Sequence, residues 1–186
     1  MIELPAAAVK ARWSFTPATL PAAGALDALG PRGLNDTDFL VAGFGTEEAR
    51  RGPGGQTHPG GGVRMKAPVS FNALNDAWIR LGMTAPQGNG GACYGDSGGP
   101  NFAVLKGRRT LVSTTITGDT PCYATNVTYR LDTPGARDFL KPFVQLPDAA
   151  APPPVTLRDL RAREDRAERA IGFVRSAFCQ CPISGE

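Results

Sequence analysis

Gly90-Gly91-Ala92-Cys93-Tyr94-Gly95-Asp96-Ser97-Gly98-Gly99-Pro100 is the stretch whose reading decides this chain, and the hexapeptide Gly95–Pro100 is its centre. Ser97 has Gly95 before it and Gly98 and Gly99 after it, so its backbone can turn sharply and lie close to a bound carbonyl. Asp96 cannot itself activate Ser97, because a carboxylate is a poor base for a hydroxyl and adjacent side chains point apart. The glycines suggest instead that backbone N–H groups near Gly95 and Ser97 face a ligand oxygen, which is the geometry of an oxyanion hole. Gly, Asp, Ser and Pro are also ordinary turn residues. Gly-Asp-Ser alone would read as a surface turn, whereas the whole run with Cys93 ahead of it reads as a nucleophile loop.

The 186 residues suffice for one ordinary domain or two small ones. With 23 Gly and 17 Pro, the composition favours a turn-rich β protein over a helical bundle. A net charge of +3, not clustered on one helix, gives no support to a nucleic-acid partner. No apolar run reaches membrane-spanning length, and residues 1–25 lack the order of a signal peptide. No metal and no cofactor is expected. Cys179 and Cys181 are too close in sequence to bridge comfortably to each other.

Residues 5–38, with scattered Gly and Pro turns, read as a buried extended connection or as a disordered one. Residues 39–45 read as a strand in which Gly43 and Gly45 mark a bulge or a close approach. Residues 47–66 form a polar, glycine-rich hairpin loop that carries His58, the one histidine, which reads as a solvated loop residue. Val69–Leu74 alternates as a half-buried strand. Asn75–Met83 is a short helix or a further strand, with Trp78, Ile79 and Leu81 expected in the core. Asn101–Leu105 and Thr110–Thr117 bracket Lys106-Gly-Arg-Arg109 as a hairpin. Asn35-Asp-Thr37 and Asn126-Val-Thr128 fit the glycosylation acceptor pattern, which chance also produces. Residues 147–155 are a stiff proline linker. Thr156–Phe178 reads as a helix with a capping box and an apolar stripe, either docked on this barrel or a partner, or exposed.

The hexapeptide resembles the nucleophile loop of the chymotrypsin/trypsin family of serine proteases. Phe39-Leu-Val-Ala-Gly-Phe-Gly-Thr46 resembles the strand and turn that open that family's second barrel, and Leu111-Val-Ser113 the strand after the nucleophile. Asn126-Val-Thr-Tyr-Arg-Leu-Asp132 resembles the strand after the specificity pocket, and Thr133–Phe143 the closing helix. The resemblance covers roughly residues 1–146. It implies an all-β fold: an antiparallel β-barrel of the chymotrypsin-like type, the second barrel with the first largely absent; the C-terminal α-helical extension, read from its own residues, matches nothing in that family's pattern. The segments are then 1–38 (end of a first-barrel strand and inter-barrel linker), 39–146 (barrel with closing helix), 147–155 (linker) and 156–186 (helical tail).

The resemblance also implies roles. Ser97 is the nucleophile, and the N–H groups of Gly95 and Ser97 form the oxyanion hole. Gly91, Ser113 and Val127 bind substrate, and Cys93 and Cys122 form a disulfide beside the pocket. Gly91 stands where trypsin-like members place an acid, so cleavage after Lys or Arg is not implied. Val127 stands where a glycine often widens the pocket, favouring small or medium apolar residues. The substrate is a protein or peptide. The family's histidine and aspartate come from the first barrel; Met1–Leu4 resembles the end of the aspartate's strand, so both would lie upstream of Met1. A disulfide implies an oxidising compartment and a secreted or extracytoplasmic full-length protein. The chain alone is then expected to be inactive. Asp96, lacking the freed amino terminus it pairs with in active members, is expected to turn outward or protonate and leave its loop mobile. The alternative is a non-catalytic protease-like binding protein that uses the groove or the helix 156–178.

Overall fold

From residue 39 onward short runs of apolar and β-branched residues recur between Gly, Pro, Asn and Asp residues, and most of the strands form on them. The computed structural model describes residues 17–148, with residues 5, 7 and 9. Its strands are β1 (Phe39–Gly43), β2 (Arg50–Gly52), β3 (Gly55–Thr57), β4 (Met65–Leu74), β5 (Trp78–Gly82), β6 (Pro100–Leu105), β7 (Arg108–Gly118) and β8 (Thr125–Arg130). Helix α1 (Ala25–Asn35) precedes them, and α2 (Pro134–Leu140) follows. Strands β1, β4, β5, β8, β7 and β6 pair antiparallel in that order, and β6 returns to β1 to close a barrel. Closure leaves these six strands no open edge for another chain to pair with. Strands β2 and β3 form a separate hairpin.

The β6–β7 hairpin turns on Lys106 (φ 49°) and Gly107 (φ 73°). Two left-handed residues match the twist of the flanking strands. Inside the barrel, Phe39, Val41, Val69, Ile79, Leu81 and Val112 form an apolar core. The interior between β6, β7 and β8 is polar. There Asn126 Nδ2 donates to Asn101 Oδ1 (2.9 Å), Asn101 Nδ2 donates to Thr115 Oγ1 (3.0 Å), and Thr128 Oγ1 donates to Ser113 Oγ (2.8 Å). These bonds satisfy most of the buried polar atoms of this layer, while Asn126 Oδ1 accepts no bond from the described residues. Asn126 is 1 % exposed, so this acceptor sequence is closed to glycosylation in the folded chain, whereas Asn35 is exposed.

Two expectations need correction. Residues 5–38 are not simply an extended connection, since α1 occupies Ala25–Asn35. Gly30 (φ 64°, ψ 174°) and Pro31 break its helical geometry midway, which hides the helical period in the sequence. Burial of Leu26 and Leu34 holds it in place, and the Leu26 N–H donates to Asp132 Oδ2 (2.9 Å) from across the chain. Trp78 lies at the rim, 36 % exposed and edge-on to Tyr129, while Ile79 and Leu81 are fully buried as expected. Asn75–Met83 contains a strand, β5. Met1–Leu4, the Thr156–Phe178 helix, Cys179, Cys181 and the linker beyond residue 148 lie outside the described residues.

At one end of the barrel Arg130, 2 % exposed, binds Asp132 (Nε–Oδ1, 2.9 Å), Asp27 and the carbonyl of Asn75. Burial pulls the guanidinium pKa down, but the hydrogen bonds and charges of Asp132 and Asp27 outweigh it and raise the pKa above its ordinary value. Asp132 is 1 % exposed and would be left charged and unpaired without this partner. Arg130→Met is expected to cost about 3–5 kcal/mol, read as a lower urea midpoint at unchanged slope. Adding Asp132→Asn should recover part of the loss. A single variant as stable as the parent would show that the pair does not hold α1 to the barrel.

Candidate active site

The nucleophile loop is positioned by one buried carboxylate. Strand β1 ends at Gly43, and the chain continues through Phe44 to Gly45. A Cβ on Gly43 would lie 1.9 Å from Asp96 Oδ1, and one on Gly45 would lie 2.5 Å from Asp96 Cγ. The close approach expected at these glycines is therefore made by the Asp96 side chain. Asp96 Oδ1 accepts from the Gly45 N–H (2.8 Å), and Oδ2 accepts from the Cys93 N–H (2.9 Å). At 8 % exposure, Asp96 does not turn outward as expected. Two amide donors and the room left by two glycines hold it inside.

The rest of the loop is tied down by its backbone. Gly98 N–H donates to Thr115 O (2.7 Å), and Thr115 N–H returns a bond to Gly99 O (3.0 Å), extending the β6–β7 ladder toward Ser97. Gly99 N–H bonds Asp96 O, Asp96 N–H bonds Cys93 O, and Thr46 N–H bonds Tyr94 O. Gly95 has φ 97°, a conformation that suits glycine. Among the described residues, the N–H groups of Tyr94, Gly95 and Ser97 donate to no protein acceptor, and Ser97 is exposed with its hydroxyl unbonded. An exposed serine hydroxyl thus stands in the same loop as uncommitted amide donors, groups of the kind that can stabilise an oxyanion.

Cys93 is bonded to Cys122, with Cα atoms 5.5 Å apart, the pairing that the family resemblance implied. Cys122 belongs to a loop organised by Asp119, whose carboxylate accepts from the N–H groups of Tyr123 (2.8 Å), Ala124 (3.0 Å) and Thr125 (2.6 Å). Partial burial pushes the Asp119 carboxyl pKa up, but the bonds from Thr125, Tyr123 and Ala124 together outweigh it and hold the group below its ordinary value. Nothing in the sequence singled out Asp119, because its carboxylate takes N–H groups four to six residues on, which no local turn motif marks.

His58 is not a solvated loop residue. It is half-buried, edge-on to Tyr94 with ring centres 4.7 Å apart. Its Nδ1 lies 3.3 Å from Glu47 O and 3.3 Å from Cys93 Sγ, and its Nε2 lies 3.3 Å from the Gln56 amide nitrogen. No hydrogen bond joins it to Ser97.

The other expected substrate residues are scattered. Ser113 on β7 is fully buried, its hydroxyl sealed inside the barrel. Val127 on β8 is half-buried and pairs in register with Arg80 and Thr117. Gly91 is exposed but backed by Met83, whose sulfur a Cβ at Gly91 would meet at 1.9 Å. The Ala92 N–H donates to the same sulfur (3.2 Å). Beside Asp96 lies a cavity of about 260 Å³, lined in part by Val41, Glu48, Met65, Lys66, Met83 and Gly91.

Among the described residues no helix is long and apolar enough to cross a membrane. In comparisons with known proteins, no family model matches the chain and no curated protein matches it.

Gly45→Ala is expected to drive Asp96 from its place and destabilise the fold by about 1–3 kcal/mol, with faster amide exchange at Cys93 and Thr46. Unchanged exchange at those amides would show that Asp96 does not organise the loop. A second expectation concerns pH. The pKa of Asp119 is lowered on folding, so its stabilisation is full above the unfolded value of about 3.9 and is lost as the pH falls through the lower folded value. The stability gap between the parent and Asp119→Asn should stay constant from neutral pH down to about 5 and narrow below about 4. A gap that persists into strong acid would contradict this.

Proposed function

We propose that Ser97 is the nucleophile of a serine endopeptidase of the chymotrypsin/trypsin type and that this six-stranded barrel is the second of that fold's two barrels. One observation carries the reading: an exposed serine hydroxyl sits beside the uncommitted N–H groups of Gly95 and Ser97, on a loop otherwise fixed by the buried Asp96. In the reaction, Ser97 Oγ attacks a peptide carbonyl and its proton passes to a base. The two N–H groups donate to the oxyanion of the tetrahedral adduct. Collapse of the adduct breaks the C–N bond, the amine leaves with a proton, and an ester on Ser97 remains for water to hydrolyse.

The base is the missing part. His58, the one histidine of the chain, is held against Cys93 and Glu47. The base and its orienting acid must therefore come from outside the described residues, and this barrel alone would turn over little substrate. The absence of an acid at Gly91 and the Met83 sulfur packed behind it support cleavage after small or medium apolar residues rather than Lys or Arg. The Cys93–Cys122 disulfide supports an oxidising, extracytoplasmic setting. The placement of His58 also favours a second reading, a protease-like protein that binds a peptide or protein in the groove, or a partner through the 156–178 segment, without cleaving it.

Native protein isolated from its source, treated with a fluorophosphonate and mapped by mass spectrometry, separates the two. The expected result is phosphonylation at Ser97 with loss of peptide hydrolysis, and neither labelling nor hydrolysis in Ser97→Ala. An unlabelled Ser97 in a protein that co-purifies with a partner would overturn the nucleophile assignment and leave the binding reading.

A further inference from the structure

Three donor atoms that acyl transfer at Ser97 does not use meet at the disulfide. A ring nitrogen of His58 and the sulfurs of Cys93 and Cys122 all lie within 4.8 Å of one another, and all three residues are half-buried. The ring is held in this position: its edge rests on Tyr94, and Nδ1 is 3.3 Å from Cys93 Sγ. Thiolate and imidazole together suit zinc-class cations. In a tetrahedral Cys₂His site the bond lengths put donors roughly 3.5–3.8 Å apart. The His58–Cys93 separation is already near that value. The two sulfurs, now bonded, must part by roughly 1.6 Å to reach it, and their Cα atoms at 5.5 Å allow side-chain rotation to supply the movement.

We propose that reduction of the Cys93–Cys122 disulfide converts this cluster into a Cys₂His site for Zn2+ or a similar divalent cation. Disulfide and metal are then alternative links between the same two loops. The reductant is a small dithiol. It delivers two electrons and two protons to the S–S bond, giving two thiols, and closes to its own disulfide. The cation then displaces both thiol protons to solvent, forming two metal–sulfur bonds. The neutral imidazole contributes a lone pair from Nδ1 and releases its bond to Glu47 O. The other ring nitrogen then carries the proton toward the Gln56 side chain, whose amide, turned over, accepts it; metal-bound histidines usually have such a partner. Both cysteines also line the 260 Å³ cavity, together with Glu47 and Glu48, so the fourth position opens on that cavity to water or a carboxylate. Sequence spacing gave no hint of the site, because the β2–β3 excursion and the barrel strands separate the three residues.

The test uses the full chain carrying Cys179→Ser and Cys181→Ser, so that only Cys93 and Cys122 remain as thiol sources. Reduced protein titrated anaerobically with Co2+ should develop tetrahedral d–d and thiolate-to-cobalt absorption, saturating at one ion per chain and bleached by Zn2+. The oxidised protein should develop neither. His58→Ala should weaken binding by about tenfold or more, while Cys122→Ser, left with one thiolate, should bind more weakly and show a lower thiolate-to-cobalt band at saturation. A reduced chain that keeps its circular dichroism yet takes up no Co2+, or a His58→Ala variant that binds as tightly as the parent, overturns the proposal. If reduction unfolds the chain, Zn2+ should restore the native spectrum; failure to do so overturns it equally. None of these readouts depends on Ser97.

Discussion

A carboxylate taken out of water needs donors, and Asp96 finds them on two separate segments: the amide of Gly45 just past β1 and that of Cys93 at the start of its own loop. A buried carboxylate stripped of its donors costs several kcal/mol, so this pair of bonds couples the two segments tightly. It also dictates sequence. Gly43 and Gly45 have no side chain because the Asp96 side chain occupies that space. With the carboxylate on the inside of the loop, Gly95 and Ser97 on either side of it are exposed, and their N–H groups have no acceptor among the described residues. The exposed hydroxyl and its neighbouring donors follow from where the acid is buried.

The same rule governs the far end of the barrel. Arg130 points inward from β8, where strand alternation places it after Asn126 and Thr128. It is accommodated by Asp132, Asp27 and a backbone carbonyl, while Asp132 also caps the first turn of α1. One buried cation thereby fixes the helix before the barrel to the strand that ends it. Between these two charged ends, Asn101, Ser113, Thr115 and Thr128 form a polar layer inside the sheet. The barrel is therefore held by directional bonds as well as by its apolar side, and this favours a single register for β6, β7 and β8.

Much of this was legible in the residues themselves. The glycine-rich hexapeptide marked the loop, Gly43 and Gly45 marked a close approach, and Lys106-Gly107 marked a hairpin, because each depends on backbone conformations that few residues adopt. What stayed hidden depends on contacts between distant segments. Helix α1 is interrupted by Gly30 and Pro31 and is held by Asp132, residues away in sequence. His58 sits in a glycine-rich loop that locally reads as solvent-exposed, but the β2–β3 hairpin folds its ring onto Tyr94. The sequence around Asp96 shows no charged partner for it, and the two backbone amides that serve instead come together only in the fold.

Three loops meet around Ser97, and the disulfide is only one of the links between them. By loop-closure entropy, a cross-link across 29 residues is worth about 3–4 kcal/mol. Alongside it, Thr46 N–H bonds Tyr94 O, Ala49 N–H bonds Pro121 O, and Tyr123 Oη–H bonds Ala49 O. The segment after β1 therefore touches both the Cys93 loop and the Cys122 loop directly. Asp119 gives the Cys122 loop its own internal frame, and Asp96 does the same for the Cys93 loop. Opening the sulfur–sulfur bond removes a restraint between two loops that a third still bridges, so the sulfurs would stay near each other and near His58. That persistence is what a metal site requires of its ligands, and it comes from backbone and side-chain hydrogen bonds that do not involve the sulfurs.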